Sequence, residues 1–207
     1  MKNNNDEIPD CKVTLIGDSG VGKSSIIARY ISGIYIKDQM TTSGANYSQK
    51  IYERNGKKVR LNIGDTAGQE KFRALGRNFY KDSYIICMVF DISKKQSFKD
   101  LKEIWYPEIQ QYGEKYKILS IVGNKSDISE ESEIEEEDIN SFVDEVGGIF
   151  FLISAENGSG INDMFKTLAN LYLSPDFEDK INTSMRSNTS LISLKKGYYK
   201  NKTTSCC

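Results

Sequence analysis

Short apolar runs alternate with stretches of helical pattern along this chain. Candidate strands are residues 11–16, 45–52, 58–63, 85–91, 118–123 and 149–153. The runs at Ile85, Ile118 and Ile149 are apolar at nearly every position, as strands buried on both faces read. The second and third runs are parted by Arg54-Asn55-Gly56, and Asn-Gly between strands is a strong hairpin signal. Those two strands are therefore expected to pair antiparallel.

Helical patterns start at Lys23, around Arg73, at Ser97, near Glu136 and at Ile161. Pro107 falls inside the third, where it removes a donor and is expected to kink or shorten the helix. Strand–helix alternation with one hairpin predicts an α/β fold: a single domain with a six-stranded, mostly parallel sheet, one antiparallel edge strand and about five helices. The domain is expected over residues 11–175, between a disordered N-terminus (1–10) and a flexible tail (176–207) rich in Ser, Thr, Asn and Lys.

Composition narrows the chemistry. The 207 residues include no histidine, which excludes Ser-His-Asp and Cys-His triads and imidazole-based zinc sites. The cysteines Cys11, Cys87, Cys206 and Cys207 form no CxxC pair and no disulfide framework, so a reducing compartment is expected. Cys11 and Cys87 sit in strand patterns and read as core packing. The polar, acidic first residues are not those of a signal peptide, and the longest apolar run is too short to cross a bilayer. Net charge is −1, yet six basic residues and no acid follow from Lys180 onward. An acidic body with a basic tail suits contact with anionic lipid rather than nucleic acid. Seven acids between Glu130 and Asp138 read as a solvated loop entering a helix, or else as a docking patch for a basic partner.

Four motifs carry the chemistry. Gly17-Asp18-Ser19-Gly20-Val21-Gly22-Lys23-Ser24 follows a strand and opens a helix. Glycines let successive N–H groups turn toward phosphate oxygens, Lys23 reaches the β- and γ-phosphates, and the Ser24 hydroxyl ligates Mg²⁺. Asp65-Thr66-Ala67-Gly68-Gln69 follows the third strand; Asp65 suits Mg²⁺ through water, the Gly68 N–H a γ-phosphate, and Gln69 an attacking water. Asn124-Lys125-Ser126-Asp127 offers a carboxylate to guanine N1–H and its exocyclic amine, a donor pair adenine lacks. Ser154-Ala155-Glu156-Asn157 offers backbone to close over the base.

In this order the motifs resemble the small GTPases of the Ras superfamily, over about residues 11–173, and GDSGVGKSS, DTAGQE and the terminal Cys206-Cys207 most resemble the Rab family. The resemblance implies a nucleotide-binding set of Ser19, Gly20, Val21, Gly22, Lys23, Ser24, Ser25, Tyr35, Thr42, Gly68, Asn124, Lys125, Asp127, Ser154, Ala155 and Glu156. In it Tyr35 stacks on the nucleotide. Thr42 ligates Mg²⁺ beside Ser24 and reads the γ-phosphate, Asp65 holds the metal through water, and Gln69 is catalytic. It further implies GTP and GDP as substrate and product, and two prenyl groups on Cys206 and Cys207. The implied partners are an exchange factor, a GTPase-activating protein, effectors and prenyl-delivery proteins. The expected protein is a monomer that binds no nucleic acid, hydrolyses GTP slowly, and cycles between cytosol and the cytoplasmic face of an intracellular membrane in vesicle traffic. A GTP-binding scaffold that scarcely switches is the alternative.

Gly64 and the altered segment Thr42-Ser43-Gly44-Ala45-Asn46-Tyr47 motivate that alternative, and the intact Gln69 argues against it; other departures from the Rab pattern are present too. Gly64 stands where a Trp is usual, leaving Tyr47 and Phe79 of an aromatic trio. Glu156 replaces a Lys, and Trp105-Tyr106-Pro107-Glu108 looks Rho-like. Only 26 residues separate Asp127 from Ser154, which leaves little room for the extra Rho helix.

Overall fold

The structure is a computed structural model that describes residues 8–37, 42, 46–66, 80–113 and 116–174. Its centre is a six-stranded sheet in the order β2-β3-β1-β4-β5-β6. The strands are β1 (Asp10–Ile16), β2 (Asn46–Arg54), β3 (Lys57–Asp65), β4 (Ile85–Asp91), β5 (Ile118–Asn124) and β6 (Ile149–Leu152). Only β2 and β3 pair antiparallel; the other neighbours run parallel. The hairpin turns where the sequence signals it, with Asn55 at φ 50° and Gly56 at φ 75°. Two consecutive positive φ values match the twist of the flanking strands.

β4 and β5 are buried at every position, as their unbroken apolar runs predict. The third such run behaves differently. In β6 only Phe151 is buried, because the strand lies at the sheet edge with β5 on one side alone. An edge strand presents a flank to solvent that no pattern of side chains can reveal.

Helix α1 (Lys23–Ser32) follows β1, α2 (Lys95–Asp100) and α3 (Tyr106–Tyr112) follow β4, α4 (Glu136–Glu145) follows the turn after β5, and α5 (Ile161–Leu173) closes the domain. The helix expected around Arg73 lies outside the described residues. Alternate residues of β4 (Ile86, Met88, Phe90) join Leu101, Trp105, Ile109, Phe142 and Val143 in the core under α2, α3 and α4. α1 and α5 meet through Tyr30 stacked on Phe165, ring centroids 3.9 Å apart. Cys11 and Cys87 are free and buried, and burial pushes both thiols up to about 12, so they stay protonated as core residues.

Pro107 does not break its helix. The five residues Leu101–Trp105 form a π turn between α2 and α3, and the Tyr106 N–H reaches back to Leu101 O. The wider turn accommodates a proline that has no N–H and whose ring would press on the preceding turn. In the acid-rich stretch, Glu136, Glu137 and Asp138 fill the first turn of α4, all exposed, where carboxylates offset the helix dipole.

Candidate functional site

The loops at the carboxyl ends of β1, β5 and β6 converge on one cleft of about 450 Å³. That is where an open parallel sheet places ligands. All the described residues of the expected nucleotide set line it except Val21 and Ser154, which are buried just behind it. Gly68 and the catalytic candidate Gln69 lie outside the described residues.

The phosphate end is made by the turn from β1 into α1. Gly17, Gly20 and Gly22 all take positive φ, at 138°, 81° and 97°. Two of them also admit close neighbours. A Cβ on Gly17 would lie 2.1 Å from Val89 O, and one on Gly22 would lie 2.3 Å from Asn124 Nδ2. No other residue type fits, so the loop is locked against β4 and β5. Lys23 is the first residue of α1 and only 5% exposed. Its Nζ donates to Gly17 O at 2.8 Å and Asp18 O at 2.7 Å. Burial lowers its pKa to about 8 from 10.5, against the pull of Asp65 and Asp18. A phosphate would restore the charge.

Next to it three oxygen-bearing side chains meet. Ser24 Oγ lies 2.8 Å from Thr42 Oγ1 and donates to Asp65 Oδ2 at 2.5 Å. Asp65 Oδ1 is buried without a hydrogen-bond partner among the described residues. Burial raises the Asp65 pKa, opposed by the Ser24 hydrogen bond, the Lys23 charge and Thr42. An orphaned carboxylate oxygen between two hydroxyls is a hard-oxygen donor set that fits Mg²⁺, which keeps waters and takes one or two carboxylates plus phosphate oxygens. Among the described residues there is no cluster of three or more His, Cys, Asp or Glu for another kind of metal.

The base end is cross-wired. Asn124, 1% exposed, donates Nδ2 to Val21 O at 2.8 Å and accepts from the Ala155 N–H at 3.0 Å. It ties the phosphate loop to the loop after β6, so the residue expected to select guanine acts here as a staple. Asp127 is exposed and lines the cleft, and its Oδ1 accepts from the Ser154 hydroxyl. Ser154 Oγ also accepts from the Asn157 N–H at 3.1 Å. Lys125 takes φ 70°, and its Nζ pairs with the fully buried Asp91 at 2.6 Å. Asp91 Oδ1 is held in turn by the Ser93 N–H at 3.1 Å and the Ser93 hydroxyl at 2.8 Å.

Arg29 and Asp91 are the residues sequence reasoning missed. Arg29 donates Nε to Ala155 O at 2.9 Å and Nη1 to Gly33 O at 2.7 Å, and Nη2 bonds Glu156 O. Its guanidinium also lies 5.8 Å from the centroid of the Tyr35 ring. One cation thus joins the end of α1, the loop after β6 and the aromatic expected to stack on the nucleotide. A lone basic residue on a helix gave no signal for this. Asp91 did leave one: it is the single charge ending an otherwise apolar strand. Lys37, Thr66 and Ile128 also line the cleft without having been anticipated.

Gly64 faces Tyr47 across the β2–β3 pair, and a Cβ there would lie 3.3 Å from Tyr47 Cε1. The Tyr47 ring therefore lies over the glycine, half-exposed, with Lys12 Nζ 5.8 Å from its centroid. Phe79, the third expected aromatic, is outside the described residues.

Comparison with known proteins agrees with this geometry. The family model described as Ras family matches residues 12–174. The chain is 35% identical over 158 residues to "Ras-related protein RABD2a" of Arabidopsis thaliana, covering 76% of this chain and 77% of that one. It is 35% identical over 158 residues to "GTP-binding protein YPTM2" of Zea mays, with the same coverage. It is 37% identical over 156 residues to "Ras-related protein Rab-22A" of Mus musculus, covering 75% of this chain and 80% of that one. A glycine loop with a buried lysine, an oxygen cluster fit for Mg²⁺, a carboxylate at the base end and these relatives agree: the chain is a small GTPase of the Ras superfamily, and it belongs to the Rab family.

Proposed function

We propose that this GTPase is a membrane-recruited switch in vesicle traffic, whose GTP-bound form engages effectors. The observation that carries the reading is the link from Thr42 through Ser24 to Asp65. Thr42 lies between α1 and β2 in the chain, and its hydroxyl meets the place where a γ-phosphate and Mg²⁺ would sit. Ser24 and Thr42 would hold the metal directly and Asp65 through water; when bound, the metal neutralises charge developing on the phosphates. Loss of the γ-phosphate would then release the Thr42 segment.

Asp127 accepts the two guanine donors, inside a frame set by Asn124, Lys125 and Ser154, while the Ala155 and Glu156 backbone closes over the base. Tyr35 flanks the base, and the N–H groups of Ser19 to Ser25 face the phosphates. Gly68 reads the γ-phosphate and Gln69 positions the attacking water. Intrinsic hydrolysis is slow, because stabilising the transition-state charge is left to an activator. Prenyl groups on Cys206 and Cys207 anchor the chain to the cytoplasmic face of an intracellular membrane, two chains giving the stable binding that one does not. Among the described residues no helix is long and apolar enough to cross a membrane. The basic tail adds attraction to anionic lipid. Exchange factor, activator and prenyl-delivery protein complete the cycle of a monomer.

The test is capture from cell lysate with the full chain, loaded with a non-hydrolysable GTP analogue or with GDP. Proteins retained only by the GTP form support the switch. The same proteins on both forms favour the scaffold reading, for which Gly64 under Tyr47 is the specific observation.

A further inference from the structure

We infer that Trp105 is a positioning residue for the phosphate loop: its indole N–H donates to Asp18 Oδ1 at 2.8 Å, across 87 residues of chain. The inference rests on the nucleotide site described above and adds to it a residue that lies outside the cleft.

Asp18 is the second residue of the loop. Its carbonyl oxygen takes the Lys23 Nζ, so wherever Asp18 sits, one half of the lysine's cradle sits too. Its side chain meets the helix after β4 instead of the cleft. Trp105 is 3% exposed and embedded in the core with Leu101 and Ile109, so the ring cannot follow a loop that moves away. The loop is therefore fastened twice, from inside by Lys23 and from outside by Trp105.

The π turn explains how one helix reaches Asp18 with two residues. The Asp100 carboxyl also stands beside Asp18, and it is itself held by Gln96 Nε2 at 2.7 Å. Asp100 and Trp105 are five apart, which puts them about 140° apart around an ordinary α-helix. The wider turn over Leu101–Trp105, with hydrogen bonds between residues five apart, brings them to the same side. Single π turns of this kind occur frequently at functional sites. Burial raises the Asp18 pKa and the Asp100 carboxyl adds to the rise, against the Trp105 hydrogen bond and the Lys23 charge.

The test measures release of a fluorescent N-methylanthraniloyl GDP from the full chain during a chase with unlabelled GDP. Trp105→Phe and Asp18→Ala are each expected to speed release about tenfold, the size of one hydrogen bond to a charged group. The double variant is expected to release no faster than Asp18→Ala alone, because the contact is lost once. Asp18→Asn, which keeps the Oδ1 acceptor, should recover most of the slow release. Rate increases that multiply in the double variant, or an unchanged rate in both single variants, would overturn the inference. If Trp105→Phe does not fold, the Asp18 pair carries the test by emission. Trp105 is the only tryptophan in the chain, and its spectrum should shift in Asp18→Ala and return in Asp18→Asn. An emission that ignores Asp18→Ala also overturns it. A wild-type chain that retains no labelled GDP would overturn the nucleotide site itself, and this inference with it.

Discussion

At the phosphate end of the cleft, Lys23 is a buried cation held by two neutral carbonyls, and Asp65 keeps one oxygen without a partner among the described residues. At the base end, Asn124 uses both ends of its amide, Ser154 bonds Asp127, Arg29 joins three carbonyls and Lys125 pairs with Asp91. The two ends solve different problems. Phosphate affinity needs charges whose desolvation is offset only when the ligand arrives. Base selection needs a frame that does not adjust to fit the wrong ring, so its polar groups are satisfied beforehand.

The contrast breaks most visibly at Lys23. Replacing it with Ala removes charged contacts that contribute about 1.5–3 kcal/mol each. GDP affinity, measured by titration calorimetry, should fall by at least about a hundredfold. Arg29→Gln probes the frame instead. It leaves the phosphate groups intact and removes a charged donor from Ala155, Glu156 and Gly33, so GDP should bind about tenfold more weakly. A loss as large as that of Lys23→Ala would mean the frame is not separate from the phosphate site.

The smallest expected effect is in pH. Nucleotide-free Lys23 titrates at about 8, and phosphate oxygens would raise that value. The free protein then binds fewer protons than the complex above this pH. Binding takes up a proton, and affinity falls as pH rises through 8, by about fivefold between pH 8 and 9. Calorimetry in buffers of different ionisation enthalpy reads the proton directly. Affinity that rises with pH over this range would contradict the lysine's assignment.

What could be read from the sequence was what is local. The Gly17–Ser24 loop, the Asn55-Gly56 turn and the unbroken apolar strands β4 and β5 each declare themselves within about ten residues. That the glycine loop and the loops after β5 and β6 share one cleft follows from their places after strands of a parallel sheet. The rest depended on pairings between distant segments. Arg29 reaches residues more than 120 positions away, and a single arginine on a helix has many possible partners. The edge position of β6 is a property of strand order, which its own residues do not encode. The π turn arose where Pro107 suggested a kink, because a helix can absorb a missing donor by widening as well as by bending.

The central claim is that the polar groups of the base end are satisfied before the nucleotide arrives, whereas the buried charge and loop amides of the phosphate end are satisfied only by it. Amide hydrogen exchange on nucleotide-free and GDP-loaded protein tests this most directly. The account predicts that the Ala155 and Asn157 amides are protected in both states, whereas those of Ser19 to Lys23 gain protection only with GDP. Equal gains at both ends on loading would contradict it.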